Sequence, residues 1–362
     1  MTSFEAARLT VRLGAIASNF REFQRLAGAA QVAAVVKADA YGMGMVPVAT
    51  HLNGAGADTY FVARLEEGVA LRPALPGARI FVLDGAPEDA IPALIAYNLI
   101  PVLNALAEIK SWSGAARKHG STLDAAVHFD TGMSRLGLPP SEVNALNADY
   151  GNCMSGIHPV LWMSHLACAD DPGAAMNRTQ LDRFRAILAL LPPAPASLSS
   201  SGGVLLGKDY AFDMVRPGVG LYGGNPQPAA PNIFSTVAVL TGRILQLRKI
   251  DKGESVGYGA SFTASRPTII ATAGLGYTDG LMRSLGNRGA GAIDGKCMPF
   301  VGRVSMDLVT LDVTDAPGVK VGDDIEFIGD TISLEDIAAN AGTAAYEILT
   351  SLARRVPRHY EA

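Results

Sequence analysis

Short apolar runs recur along the first two-thirds of this 362-residue chain. They are Val32–Val36, Thr59–Val62, Arg79–Leu83, Ile100–Leu103, Ala125–Phe129, Leu161–Ser164, Ser197–Ser200 and Met214–Leu221. Their lengths suit buried strands. Between most of them lie Ala-, Leu-, Glu- and Arg-rich segments with helical character, such as Val46–Asn53, Leu65–Leu71, Ala105–His119 and Arg178–Leu191. Strands alternating with helices predict βαβ units and a parallel sheet. Eight such units over about 200 residues predict an α/β fold built as a closed (β/α)₈ barrel of the TIM type. A doubly wound open sheet is the alternative, but the GxGxxG turn that normally follows its first strand is absent.

From about Ile233 the texture changes. Val237–Ile250, Thr268–Ala273, Met298–Val304 and Leu308–Val313 read as strands punctuated by glycines and by Asp294-Gly295. They predict a compact, mostly β C-terminal domain, with a helical tail in which Ser333 serves as N-cap and Asp336 stands three residues on. The Pro-, Gly- and Asn-rich stretch Gly223–Asn232 is the expected boundary, so residues 1–230 form the barrel and 231–362 the β domain.

Bulk composition narrows the function classes. The chain is 49% hydrophobic and 18% charged, as expected of a globular protein with a large core. A net charge of −4 and the lack of a basic stripe argue against a nucleic-acid partner. Cys153, Cys168 and Cys297 are scattered and odd in number, which points to a reducing compartment and not to a disulfide framework. Without an apolar leader or a bilayer-length apolar run, no membrane association is expected and the cytoplasm is the default location.

Polar residues cluster at the C-terminal ends of the runs, where a barrel carries its active site: Lys37, Arg64, Asp84, Asn104, Asp130, His165, Ser201 and Arg216. Lys37 stands where Ala33-Ala34-Val35-Val36 gives way to a Gly-rich turn. Desolvation at such a strand mouth favours the free amine, which suits a Schiff base with a carbonyl such as that of pyridoxal phosphate (PLP). Ser199–Gly203 and Arg216–Gly220 follow the seventh and eighth runs, the usual phosphate-binding pair in barrels, although such glycines also serve simply to make tight turns. Arg135, in Asp130–Gly137, either clamps a carboxylate or pairs with a nearby Asp. His165 ends the sixth run and has no partner at metal-ligand spacing, so no metal is expected. Tyr258 and Tyr277 sit between glycines in the second domain. An unaided phenol is a poor base, but a neighbouring cation favours the phenolate.

Together these motifs resemble the alanine racemases almost end to end. The likeness runs through Val36–Gly44, Asp130–Met133 with Arg135–Gly137, Ser164–Ala167, Phe212–Gly218 and Gly257–Gly259, then through Gly276-Tyr277, Asp279-Gly280, Gly302–Asp307 and Arg355–Arg358. The resemblance implies a fold-type-III PLP enzyme that interconverts L- and D-alanine, supplying D-alanine for peptidoglycan or degrading it. It implies a homodimer whose active sites are shared, each β domain serving the partner's barrel. Carried over residue by residue, Lys37 holds PLP and is one base, and Tyr258 from the other subunit is the second. His165 tunes that tyrosine, and Arg216 donates to the pyridine nitrogen without passing on a proton. Tyr41, Ser201, Gly218 and Val219 contact the phosphate, and Leu83 and His165 are further cofactor contacts. Arg135, the Met306 backbone and Tyr277 meet the substrate or its channel, along with Arg283 and Arg303.

Three positions depart from the family pattern. His128 stands where many relatives carry a lysine, often carbamylated, that supports the arginine matching Arg135. That support here is left to an anion, a water or Asp130. Arg354 falls where some relatives have a tyrosine that touches the phosphate, and either supplies a charge-assisted contact or points away. Ser305 replaces a frequent cysteine. Two alternatives remain at this level. One is a related racemase acting on serine, lysine or a broad range of amino acids. The other is a PLP carrier of the barrel-only kind, against which the β domain and Tyr258 argue.

Overall fold

A computed structural model describes residues 4–362. Seven barrel strands form one parallel sheet in chain order, from Ala34–Val35 through Thr59–Val62, Arg79–Val82, Ile100–Leu103, Leu123–His128 and Ile157–Met163 to Ala196–Ser197. Met214–Val215 closes the ring. It pairs with Gln31–Val32, the beginning of the first strand, and the Ala33 N–H donates to the Val215 carbonyl at 2.9 Å. On its other side the Arg216 N–H donates to the Ser199 carbonyl at 2.9 Å. All eight expected strands are present. Thr59–Val62 and Ile100–Leu103 are buried at every position, as a sheet covered by side chains within and helices without requires. Phe61 and Phe81 stack inside the barrel with centroids 4.6 Å apart.

The helices between the strands follow the sequence reading closely. Leu65–Leu71 has the expected bounds, and Leu106–His119 ends on Gly120, whose left-handed φ of 75° closes the helix without a Cβ penalty. Among the described residues no helix is long and apolar enough to cross a membrane.

The second sheet is organised around Ala238–Ile250, whose first half alternates buried and part-exposed positions. It pairs antiparallel with Thr268–Ala273 and Asp324–Ile328. It also pairs antiparallel with Ala7–Arg12, the first strand of the chain, which runs parallel to Arg358–Glu361 at the other end. The assignment of residues 1–230 to the barrel therefore needs correcting at its start, because Ala7–Arg12 belongs to the β sheet. The alternation is visible: Leu9 and Val11 are fully buried, with Arg8, Thr10 and Arg12 between and around them. A second difference lies at Met298–Val304, where the strand is Lys296–Pro299 and residues 301–304 form a loop. Ser333 caps Leu334–Ala341 as expected, its hydroxyl accepting the Asp336 N–H at 3.1 Å.

The two parts meet at the barrel mouth. Helix Ala345–Ser351 of the second domain packs on the segment Lys37–Tyr41. Arg358 donates to the Gly42 carbonyl at 3.2 and 3.1 Å, and to the carbonyls of Leu352, Ala353 and Val356.

Candidate active site

A cavity of about 740 Å³ opens at the C-terminal ends of the barrel strands. Of the residues singled out from sequence, it gathers Lys37, Tyr41, Leu83, Asp84, His128, Arg135, His165, Ser201, Arg216, Gly218 and Val219. Tyr258, Tyr277, Met306 and Arg354 are not in its wall. Tyr346, Glu347 and Thr350 close it from the second domain. Sequence reasoning recognised that tail as helical but had no local signal that it would return to the barrel.

Lys37 follows directly on the first strand and begins an unusual turn. Ala38, Asp39, Ala40 and Tyr41 all have φ between 53° and 55°. With ψ near 50° at the first three, this is a left-handed turn. Such a conformation costs a non-glycine residue about 1–2 kcal/mol, so the surroundings must hold it. They do so by hydrogen bonds: the Ala38 N–H donates to Glu67 Oε1 at 2.6 Å, and the Met45 N–H donates to Asp39 Oδ1 at 2.8 Å. Burial pulls the Lys37 ammonium below its ordinary value, and the Arg135 charge adds to this. Glu67 and Asp84 act in the opposite direction. Lys37 is thus a half-buried amine biased toward its neutral, nucleophilic form.

Arg216 reaches across the barrel floor from the eighth strand. Its guanidinium donates to the Ser197 hydroxyl and to the Ser164 carbonyl at 2.7 Å, and it lies 3.4 Å from His165 Nδ1. Burial brings its pKa down to about 10, lower than the ordinary arginine value. It still carries its charge at neutral pH. Burial, and then the charges of Arg216 and Arg135, hold His165 well below its ordinary value, so the imidazole is neutral.

The opposite end of the cavity suits an anion. The Ser201 hydroxyl accepts the Gly218 N–H at 2.8 Å and the Gly220 N–H at 3.3 Å, leaving its own proton to donate outward. Gly218 is required here because a Cβ would run into the Tyr41 hydroxyl. Tyr41 is stacked on Tyr222 at 4.7 Å, and burial raises its pKa, keeping it a neutral donor. This set consists of hydroxyls and backbone amides, with a guanidinium at one side and an amine at the other. It matches the parts of PLP: phosphate, ring nitrogen and aldehyde.

Two of the departures from the family pattern have a definite place. His128 is buried and its Nδ1 lies 2.9 Å from Asn104 Oδ1. Burial, followed by Arg216 and Arg135, lowers its pKa to about 4. A neutral imidazole offers Arg135 no anionic support. Asp130 makes no ion pair or hydrogen bond with Arg135 among the described residues; its Oδ1 instead accepts the N–H groups of Gly132, Met133 and Ser134 at 2.9, 2.9 and 3.1 Å. Arg354 points outward: its side chain is 88% exposed, with Asp39 3.9 Å away.

Tyr258 lies in the turn Tyr258–Ala260, flanked by Gly257 and Gly259, both at positive φ. It is 71% exposed, the largest exposure among the bulky apolar and aromatic side chains apart from that of any undescribed residue. Met306 and Tyr277 are also exposed, at 53% and 40%. The Met306 carbonyl accepts from the N–H and hydroxyl of Thr278 at 3.1 and 2.8 Å, while its N–H has no partner among the described residues.

The comparisons with known proteins cover both parts of the chain. Residues 11–226 match the family "Alanine racemase, N-terminal domain" and residues 237–360 match "Alanine racemase, C-terminal domain". An alanine racemase of Methylobacterium nodulans is 45% identical over 99% of this chain and 97% of its own. A catabolic alanine racemase of Agrobacterium fabrum is 47% identical over 98% of this chain and 92% of its own. Among solved structures, the alanine racemase of Bartonella henselae with covalently bound pyridoxal phosphate superposes with a TM-score of 0.95, at 37% identity over 99% of this chain and all of that one. With two matching domains in order and relatives alike along their whole length, the chain belongs to the alanine racemase family.

Proposed function

We propose that the chain interconverts L- and D-alanine with PLP held at Lys37, using one base from its own barrel and one from a second copy. The observation that carries this reading is the placement of two groups. Lys37 lies in the cavity wall beside Arg216, His165 and Arg135, whereas Tyr258 stands outside it and exposed. Bound PLP supplies a conjugated ring that acidifies the Cα–H of an attached amino acid.

The chain's residues do the rest. Arg216 donates a hydrogen bond to the ring nitrogen and keeps its proton, which moderates the electron sink and limits side reactions. Tyr41, Ser201, Gly218 and Val219 would hold the phosphate, and Leu83, also in the cavity wall, would be a further cofactor contact. Lys37 takes or returns the proton on one face of Cα, the face from which D-alanine loses it. Tyr258 of the partner subunit does so on the other face, for L-alanine. Neutral His165 orients that phenol, and the Arg135 charge favours its deprotonated form. The Met306 N–H, also from the partner's β domain, is free to receive the substrate carboxylate, and Tyr277 lines the approach. The assembly is a homodimer with shared sites, located in the cytoplasm, where the three free cysteines stay reduced.

The test is to incubate the purified protein and PLP with single enantiomers of alanine, serine and lysine in D₂O, following chirality and α-deuteration. Alanine is expected to racemise fastest, with deuterium entering at Cα. Faster turnover of serine or lysine would assign another substrate, and no exchange with any of them would contradict the reading.

A further inference from the structure

Glu67 lies in the first turn of helix Leu65–Leu71, which follows the second barrel strand, yet it acts on the turn after the first. Both carboxylate oxygens are in use. Oε1 accepts the Ala38 N–H at 2.6 Å, and Oε2 accepts the N–H groups of Ala63 and Arg64 at 2.8 and 3.1 Å. Ala38 is the residue next to Lys37 and the first of the left-handed turn. Its N–H belongs to the peptide that follows the lysine, so fixing that peptide fixes the direction in which the Lys37 side chain leaves the backbone. A left-handed run of alanine, aspartate, alanine and tyrosine costs each residue about 1–2 kcal/mol despite its own bonds, such as the Gly42 N–H to the Ala38 carbonyl at 2.9 Å, and a bond this short to a charged acceptor is among the stronger ones available to offset that cost.

We propose that Glu67 is a positioning residue for Lys37, its carboxylate clamping the first peptide of the left-handed turn to the neighbouring βα loop so that the amine is held toward the cavity. This rests on the reading of Lys37 as the cofactor-binding lysine. Two oxygens are needed to serve both loops at once. A glutamine has one carbonyl oxygen and keeps only one of them. Glu67 also supplies charge. The groups facing the Lys37 amine are Arg135, Asp84, His165 and Glu67 itself, and the two carboxylates favour its protonated form.

The same rim contains a matched control. Glu108 accepts the Asn104 N–H at 2.7 Å, and the Ala86 backbone on the neighbouring loop acts on its carboxylate too, so it sits between the loops after the third and fourth strands. It holds a place of the same kind between loops that do not carry Lys37.

The test measures cofactor capture, with no alanine present. Apoenzyme from the full chain is mixed with PLP across a range of pH, and the visible absorbance of covalent capture is followed. Glu67→Ala is expected to slow capture at its pH plateau by roughly tenfold or more, and Glu67→Gln by roughly threefold. Both should move the pH midpoint of capture downward, because removing a nearby anion favours the neutral amine. Glu108→Ala should lower the melting temperature while leaving plateau and midpoint unchanged. The proposal is overturned if Glu67→Gln, the variant that best preserves shape, captures PLP with the wild-type plateau and midpoint. It is equally overturned if Glu108→Ala slows capture as much as Glu67→Ala, since the effect would then be one of rim stability. A Lys37→Ala chain that captured PLP as well as wild type would instead overturn the reading of Lys37, and the role of Glu67 with it.

Discussion

The barrel mouth and the edge of the β domain each present one proposed base, and they present it in opposite ways. At the barrel mouth Lys37 is half-buried and its turn is clamped by Glu67 and Arg358. The surroundings have already shifted it toward the free amine. At the β edge Tyr258 sits on a glycine-flanked turn, 71% exposed and absent from the cavity wall. Lys37 has its surroundings within the chain, whereas on the proposed reading Tyr258 meets a substrate only at the barrel of a second copy. A carbon that loses its proton on one face and regains it on the other needs groups approaching from opposite sides. On the proposed reading the barrel rim supplies one of those sides and a second copy supplies the other, which is a physical solution to a two-faced reaction.

The largest expected effect breaks the comparison at its exposed end. Tyr258→Phe removes the second base and should cost about 10²- to 10⁴-fold in racemisation, while PLP absorbance stays as in wild type. The loss should be one-sided. α-Deuterium should still wash out of D-alanine, and washout from L-alanine should fall with racemisation. Proton NMR in water with each α-deuterated enantiomer measures this, and wild-type washout from L-alanine would end the division of labour.

A smaller effect probes how dry the barrel end is. The pKa of His128 is about 4 in the fold against an ordinary 6.5. The unfolded chain therefore binds more protons between those values, and stability falls as pH drops from about 6.5 toward 4, by on the order of 3 kcal/mol at this site. Replacing it, as in His128→Asn, should flatten that part of the melting-temperature profile. An unchanged slope would mean that the imidazole is not held neutral by burial.

The smallest effect concerns Arg354. Arg354 is exposed and meets Asp39 only at 3.9 Å. Arg354→Ala should change PLP affinity and turnover by no more than about twofold, as expected of a surface pair. A large loss of PLP affinity, measured by titration, would place its guanidinium at the phosphate after all.

The barrel was readable because each of its strands and helices declares itself locally, by an apolar run or a helical spacing, and because polar residues fall at one end of the runs. Lys37, Asp84, His165, Ser201 and Arg216, which line the cavity, were readable for the same reason, whereas Tyr41 and Leu83 entered only through the family resemblance. What escaped was long-range or conformational. Ala7–Arg12 alternates as a strand should, but its partners lie more than 200 residues away in sequence, so contiguity placed it within the barrel's range. Tyr346 reaches the cavity only because the C-terminal helix folds back on the Lys37 turn. The left-handed turn itself contains no glycine until Gly42, so nothing in its composition announces a positive φ. Glu67 was hidden with it, since an acidic residue in the first turn of a helix ordinarily caps its own helix.

The central claim is that a working site takes Lys37 from one copy and Tyr258 from another, and complementation tests it most directly. Lys37→Ala and Tyr258→Phe chains are each expected to be inactive alone. Co-expressed in equal amounts, half of the dimers should be mixed, and each mixed dimer should contain one site with both bases intact. The mixture should recover roughly a quarter of the wild-type activity. A mixture of verified mixed dimers that stays as inactive as either variant would contradict the account.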